Sequence, residues 1–534
     1  MSSKKTENQK ITGRAAIVAA GTLTSRILGL VRDQVLTGLF SRMATDAFLI
    51  AFQLPNLLRQ LLAEGAVQNA VLPVLTEELK GKGEKEALVF FRGLIGVFGL
   101  ILLGVSILGS IFAPELVQLF AKGFEKDPEQ FELTVELTRW LFPYIFFMGS
   151  ASLCAAALNT HKKFVATSFA PALLNLAFIS SAFAFANYFE QEGQDRIFSL
   201  VVGALFGGAF QVFALWPSLK KIGYLRLPSL KWQQPAIRRV FLRLGPTLLG
   251  IGVYYVDVLV GRRLLSEAGE GSVTYFSMAM RLCDFPQGIF VMAMQTATLP
   301  SLAALFSQGK KEELSSTLSY ALRLTLYVAI PATIGIVLLS RPIVQVVFGH
   351  GQFDERAVIQ TAQALVAQGS AIFLVAIVRQ VVAVFFAAGD TKTPVKIAAF
   401  DFLIFAAAAF LLGKQYGHVG ISWAVSIASL AQAALLLFAA RPYISKAGIT
   451  ALVNSTIKTA LAALCASFAA FLGLLLSAHL LQSFFDSASQ FLQAVINLGA
   501  GGLVFLLTYL ISGALLKNGE QEALLGPLLR RIAR

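Results

Sequence analysis

The stretch Ser25–Glu64 reads SRILGLVRDQVLTGLFSRMATDAFLIAFQLPNLLRQLLAE. Its flanks are apolar enough to enter a bilayer, yet it carries Arg26, Arg32, Asp33, Asp46, Arg59 and Glu64. An arginine near the middle of a membrane helix costs at least about 2.5–3.5 kcal/mol on insertion scales. A chain that accepts this repeatedly must satisfy those charges in a shared polar cavity. Arginines form charge-assisted, often bidentate bonds to phosphate or carboxylate, so the expected cargo is anionic. The stretch therefore reads as part of a polytopic transporter with a cationic central cavity.

Composition agrees. Hydrophobic residues make up 56% of the 534 residues and charged ones 14%, with a mean hydropathy of +0.70. Soluble domains run near 45–50% apolar and about 25% charged. The apolar runs are near twenty residues long and do not alternate, which points to an all-α membrane protein and not a barrel. The net charge of +14 would suggest nucleic acid on a soluble chain. Here the cations concentrate in alternate loops, so nucleic acid is not expected as a partner. Cys154, Cys283 and Cys465 lie far apart in apolar runs, and the four histidines are scattered. No metal spacing or nucleotide-binding loop is read, and no cofactor is expected.

Fourteen spans can be placed: 15–37, 46–77, 90–113, 135–158, 164–187, 197–217, 244–265, 272–306, 318–340, 358–388, 394–413, 417–440, 452–478 and 491–515. Each is long enough to cross as a helix. Basic loops at Lys80–Lys85, Lys162–Lys163, Lys220–Arg239, Lys310–Lys311, Lys392–Lys396 and Arg441–Lys446 alternate with acidic or cation-poor ones. That pattern places both termini on the cytoplasmic side.

The chain also repeats itself. AVLPVL at Ala70–Leu75 recurs as ATLPSL at Ala297–Leu302, 227 residues on. Pro114, Phe120 and Gly123 recur as Pro342, Phe348 and Gly351, 228 residues on. Six spans fit in one period, so the copies share an orientation and form parallel repeats about a cavity. The expected organisation is a first lobe over 1–217, a basic amphipathic linker over 218–243, a second lobe over 244–446 and a two-span appendage with a basic tail over 447–534. In the linker, Ile237, Val240, Phe241 and Leu244 share one helical face, and Trp216 and Trp232 are candidate interface anchors. The segment reads either as a topology determinant or as a contact for lipid headgroups.

Arg26 and Asp33 are seven apart, on one face of span 1. Pro55 should bend span 2 one turn before Arg59, with Glu64 following. Arg281 and Asp284 lie three apart in span 8, the repeat partner of span 2, so Arg281 is expected to face Arg59 across the cavity. Arg26, Arg59 and Arg281 are the expected grip on the anion, with Arg32 as a fourth candidate ligand. Asp33, Asp46, Glu64 and Asp284 are candidate gating or ion-pairing carboxylates; structural ion pairs are the plainer alternative. Asp257 and Asp401 are candidates for a coupling-cation site, or simply partners of nearby arginines. Nothing singles out a nucleophile or a catalytic carboxylate pair.

The runs S-R-I-L-G-L-V-R-D (Ser25–Asp33), A-T-D-A-F (Ala44–Phe48), L-P-N-L-L-R (Leu54–Arg59) and A-E-G-A (Ala63–Ala66) closely resemble the MurJ/MviN lipid II flippases. So do R-L-x-x-F-P-x-G (Arg281–Gly288) and K-T-P-V-K (Lys392–Lys396). The resemblance implies membership of the multidrug/oligosaccharidyl-lipid/polysaccharide exporter superfamily and two six-helix lobes alternating about a central cavity. It also implies a groove for the lipid tail near spans 13 and 14. Family arginines important for transport match Arg26, Arg32, Arg59 and Arg281. The implied cargo is undecaprenyl-diphosphate-linked peptidoglycan precursor, moved to the periplasmic leaflet of the inner membrane for cell-wall synthesis. Membrane lipids and cell-wall synthesis proteins are the implied partners. Membrane potential or a monovalent cation could reset the empty carrier. The alternatives are a cation-coupled multidrug exporter, whose pore should be acidic and aromatic, and a non-transporting assembly scaffold.

Overall fold

The computed structural model describes residues 2–59, 66–484 and 490–532. These residues are overwhelmingly helical, with no strand among them. The contacts divide into two units, Met1–Gly271 and Ser272–Arg534.

In the first unit, α1 (Ser2–Leu39) precedes α2 (Arg42–Arg59) and α3 (Ala66–Lys82). Then come α4 (Glu84–Ile111), α5 (Ala113–Phe120), a 3₁₀ turn at Lys122–Lys126, and α6 (Pro128–Leu141). The unit continues with α7 (Tyr144–Thr160), α8 (Phe164–Gln191), α9 (Phe198–Lys221) and α10 (Pro235–Glu267). Asp127 caps α6 by accepting from the amides of Glu129 and Gln130, and Pro128 occupies the first turn, where a missing amide costs nothing. Helix α1 lies so close to α8 that a Cβ on Gly21 would sit 2.4 Å from the Ser168 carbonyl oxygen. Small residues permit this approach, which membrane helices need because lipid gives them little hydrophobic reason to associate. One core of the unit joins Leu36, Phe48, Leu141, Tyr144 and Phe178; another joins Val74, Leu75, Phe90, Phe91, Ala157 and Val240.

The second unit repeats the plan. It contains α11 (Ser272–Pro286), a π turn at Gln287–Val291, α12 (Met292–Ser307), α13 (Lys311–Leu338), α14 (Ser340–Phe348) and α15 (Glu355–Gly369). After these come α16 (Ile372–Ala387) and α17 (Lys392–Ala439). Helices α13, α14 and α15 begin 227 residues after α4, α5 and α6. The cap repeats as well: Asp354 accepts from the Ala357 amide at the start of α15, as Asp127 does on α6. Helix α17 is one 48-residue stretch turned at Gly417 (φ 57°, ψ −138°), a conformation that suits glycine almost alone. That single residue does what Glu192–Ile197 does between α8 and α9. Beyond the repeat, α18 (Lys446–Phe484), α19 (Gln490–Leu515) and α20 (Gly519–Ile532) follow. Ala462, Ala463, Ala466 and Ala470 of α18 form a smooth strip packed with Tyr327 of α13 and with Phe505 and Tyr509 of α19. The Tyr509 hydroxyl donates to the Tyr327 carbonyl at 2.6 Å.

Among the described residues, nine helical stretches are long and apolar enough to cross a membrane. One of them is α17, which covers two of the expected spans through its turn. The short α3, α11 and α12 and the triply charged α2 fall outside that group, as do α1 and α10. The expected surface helix in the linker is not a separate element. Residues 235–243 are the first turns of α10, which continues unbroken into the next span. The expected division of faces holds only in part: Ile237, Val240 and Leu244 are buried and Arg238 is exposed, but Phe241, expected on the buried face, is exposed. Arg239 and Arg243 reach back to Glu77 and Glu78 of α3. Helix α10 thus packs on α3, α4 and α5 of the first unit.

Candidate functional site

The charges of span 1 lie on the part of α1 that packs against α8. Arg32 gives its Nε and Nη2 to one oxygen of Asp33, at 3.0 and 2.6 Å. Its Nη1 donates to Asn175 Oδ1 of α8 at 3.3 Å, and its guanidinium lies 5.6 Å from the Phe178 ring centre. Asn175 turns its amide the other way, donating to the Ser25 carbonyl at 3.0 Å. Asp33 is 2% exposed, so a neutralising partner is obligatory. Arg26, the residue after that Ser25 carbonyl, is half-buried. Nothing in the sequence spacing singles out Asn175. It is the one amide in the middle of α8, the others, Asn187 and Gln191, lying near its end, and its placement opposite Arg32 reveals a role.

Asp46, one turn into α2, is fully buried and accepts from the Gly271 amide at 2.7 Å. Beside it Arg42 pairs with Glu270 at 3.5 Å, and the Gly123 amide donates to Ser266 Oγ at 3.0 Å. These contacts fasten the loop after α10 to the first unit. Gly269 and Gly271 turn that loop at φ 104° and 83°. Pro55 lies inside α2, and Arg59, its last residue, is half-buried with Nε donating to Asn56 Oδ1 at 2.8 Å. Glu64 lies outside the described residues. Asp257 is half-buried on α10.

In the second unit, Arg281 and Asp284 are both exposed on the last turns of α11. Pro286 ends that helix, and the π turn follows, with the Met292 amide donating to the Gln287 carbonyl. A proline has no amide to continue the ladder, and π turns concentrate at functional sites. Asp401 is half-buried on α17. At the start of α17 the Thr393 hydroxyl and amide, with the Lys392 amide, hold the Asp390 carboxyl below its ordinary range.

The architecture and its charged helices define a polytopic membrane transporter. The fold matches an inward-facing multidrug-resistance MATE transporter of the MOP superfamily with a TM-score of 0.63 at 14% identity, over 84% of this chain and 98% of that one. It matches a solved structure described as "Lipid II flippase MurJ, inward closed conformation" with a TM-score of 0.76 at 25% identity, covering 93% of this chain and 99% of that one. The family model "Lipid II flippase MurJ" matches residues 36–494. A probable lipid II flippase MurJ of Buchnera aphidicola is 32% identical over 77% of this chain and 80% of its own length. The lipid II flippase MurJ of Burkholderia cenocepacia is 30% identical over 80% and 83%. The chain belongs to the MurJ lipid II flippase family, a family of multi-pass membrane transporters.

Proposed function

We propose that this protein carries lipid II, the lipid-linked peptidoglycan precursor, from the cytoplasmic to the periplasmic leaflet of the inner membrane. The observation that carries the reading is membership of the flippase family over most of the chain, including the arginine-bearing α2. In this reading the undecaprenyl-linked diphosphate is gripped by Arg26, Arg59 and Arg281, with Arg32 as a further ligand. Guanidinium groups suit the purpose because they pair with phosphate oxygens two at a time and stay charged at any working pH. The Asp33 partner and the Asn175 amide support an Arg32 that is oriented before any ligand arrives. Asp46, Glu64 and Asp284 serve in gating or ion pairing, and both termini face the cytoplasm. Neutralising the arginines with the diphosphate lets the carrier alternate its access. The empty, cationic carrier then returns, helped by the membrane potential, which is worth about 2.3 kcal/mol per unit charge per 100 mV. Asp257 and Asp401 remain the candidates for a monovalent coupling cation.

The test is leaflet accessibility of lipid II in cells depleted of the protein and complemented with wild type or Arg281→Ala. Wild type should restore outer-leaflet lipid II, and Arg281→Ala should leave it inside. Restoration by both would remove the arginine grip. Restoration by neither would remove the flippase reading itself.

A further inference from the structure

We propose that the first unit seats one anionic glycerophospholipid of the cytoplasmic leaflet, in a groove between α4 and the first turns of α10. A cavity of about 730 Å³ lies there, within the range of small-molecule sites. Its α4 side is apolar, with Val97 facing Phe241 and Leu242, while Arg238 and Trp232 form the linker side. The extended linker segment that closes it is built against α4. The Ser229 amide donates to the Arg92 carbonyl at 2.9 Å, and Arg92 Nε donates to the Leu227 carbonyl at 2.8 Å. Gly96 makes room for this, since a Cβ there would sit 2.2 Å from the Ser229 carbonyl oxygen.

The depth of the groove selects the ligand. Arg92 is the last charge on α4 before twenty uncharged residues, Gly93–Phe112. At about 1.5 Å per residue these span about 30 Å, the thickness of the hydrocarbon layer. Val97 is therefore about one turn inside the boundary. Leu100, Leu103 and Ile107 continue up one side of α4 and are all exposed, so the groove opens at the foot of a lipid-facing stripe. On the headgroup side Leu227, Leu230 and Trp232 are also exposed, alternating with Arg226 and Lys231. Arg239 and Arg243 are engaged with Glu77 and Glu78, whereas Arg238 and Lys231 have no ion-pair partner among the described residues. An apolar slot for a chain beneath such cations complements a phospholipid phosphate in an anionic leaflet. This site stands apart from the transport arginines and does not depend on the cargo assigned to them.

The test uses Trp232 as its reporter. Trp140, Trp216 and Trp423 are replaced by Phe in the full chain, which is placed in phosphatidylcholine nanodiscs. Brominated phosphatidylglycerol or brominated phosphatidylcholine is then titrated in. Brominated phosphatidylglycerol should quench Trp232 at about fivefold lower mole fraction, the preference expected from about 1 kcal/mol for one basic residue at the surface. Arg238→Gln, at an exposed position, should erase that difference. Equal quenching by the two lipids, or a preference that survives Arg238→Gln, would overturn the proposal. So would loss of the preference on adding excess inorganic phosphate, because the groove would then be an anion site with no seat for a chain.

Discussion

Arg59 and Arg281 stand on matched helices of the two repeat copies, but at unmatched positions. With the 227-residue offset that relates α4 to α13, Arg59 corresponds to Pro286, and Arg281 lies five residues earlier. Arg59 ends its helix half-buried and bonded to Asn56; Arg281 is exposed and is followed, after Pro286, by the π turn. The buried carboxylates are just as unequal. Asp33 and Asp46 of the first unit sit in closed sockets, while Asp284 of the second is exposed. Duplication preserved the scaffold, down to the Asp127 and Asp354 caps, while the charged positions diverged. Packing constrains the first kind of residue equally in both copies; ligand chemistry need not.

The comparison can be broken most directly at the arginines. Charge-assisted hydrogen bonds are worth about 1.5–3 kcal/mol, so Arg59→Ala and Arg281→Ala should each reduce lipid II export about tenfold or more, read as outer-leaflet accessibility. If only one of them does, the grip belongs to a single copy. Next comes the Asp46 socket. Asp46→Ala strands the buried Gly271 amide and should cost about 2–3 kcal/mol in unfolding of the purified protein, whereas Asp46→Asn, which keeps an acceptor oxygen, should cost less. Gly417→Ala should cost about 1–3 kcal/mol in the same measurement, because the second copy makes its turn within one helix at that left-handed residue. Asn175→Ala should cost about 1.5 kcal/mol, the low end for a hydrogen bond to a charged group because this one is long at 3.3 Å, by releasing Arg32 from α8.

The smallest effect is expected at Asp390, whose carboxyl is held below its ordinary range when folded. A depressed folded value gives stability above the unfolded value, lost as pH falls through the folded one. The melting difference between wild type and Asp390→Asn should therefore shrink steadily as the medium is acidified below the ordinary carboxylate range. A difference independent of pH would mean that the cap acts through shape and not charge.

Much of the fold was legible because long apolar runs mark membrane-length helices, and because Pro73 and Pro300 recur in matched contexts on α3 and α12. The pairing of Arg32 with its neighbour Asp33 was legible as the plainer alternative, a structural ion pair, although adjacent helical residues normally diverge. Asp46 was legible as an anomaly, but its partner is a backbone amide, which leaves no side-chain signature. Asn175 was hidden by an innocuous context. The linker's basic, amphipathic pattern resembles a separate surface helix, but Ile237, Val240 and Leu244 belong to the first turns of α10, which runs on.

Helix α10 begins the second copy by descent, yet it is fastened to the first at both ends, through Arg239 and Arg243 below and through Ser266 and Gly271 above. The seam of ancestry and the seam of construction are therefore different places. Anyone dividing this gene into two co-expressed pieces should cut after Gly271. A cut in the linker would sever a helix start from the extended chain that braces it, and would ask the second piece to shelter a segment whose bed lies in the first.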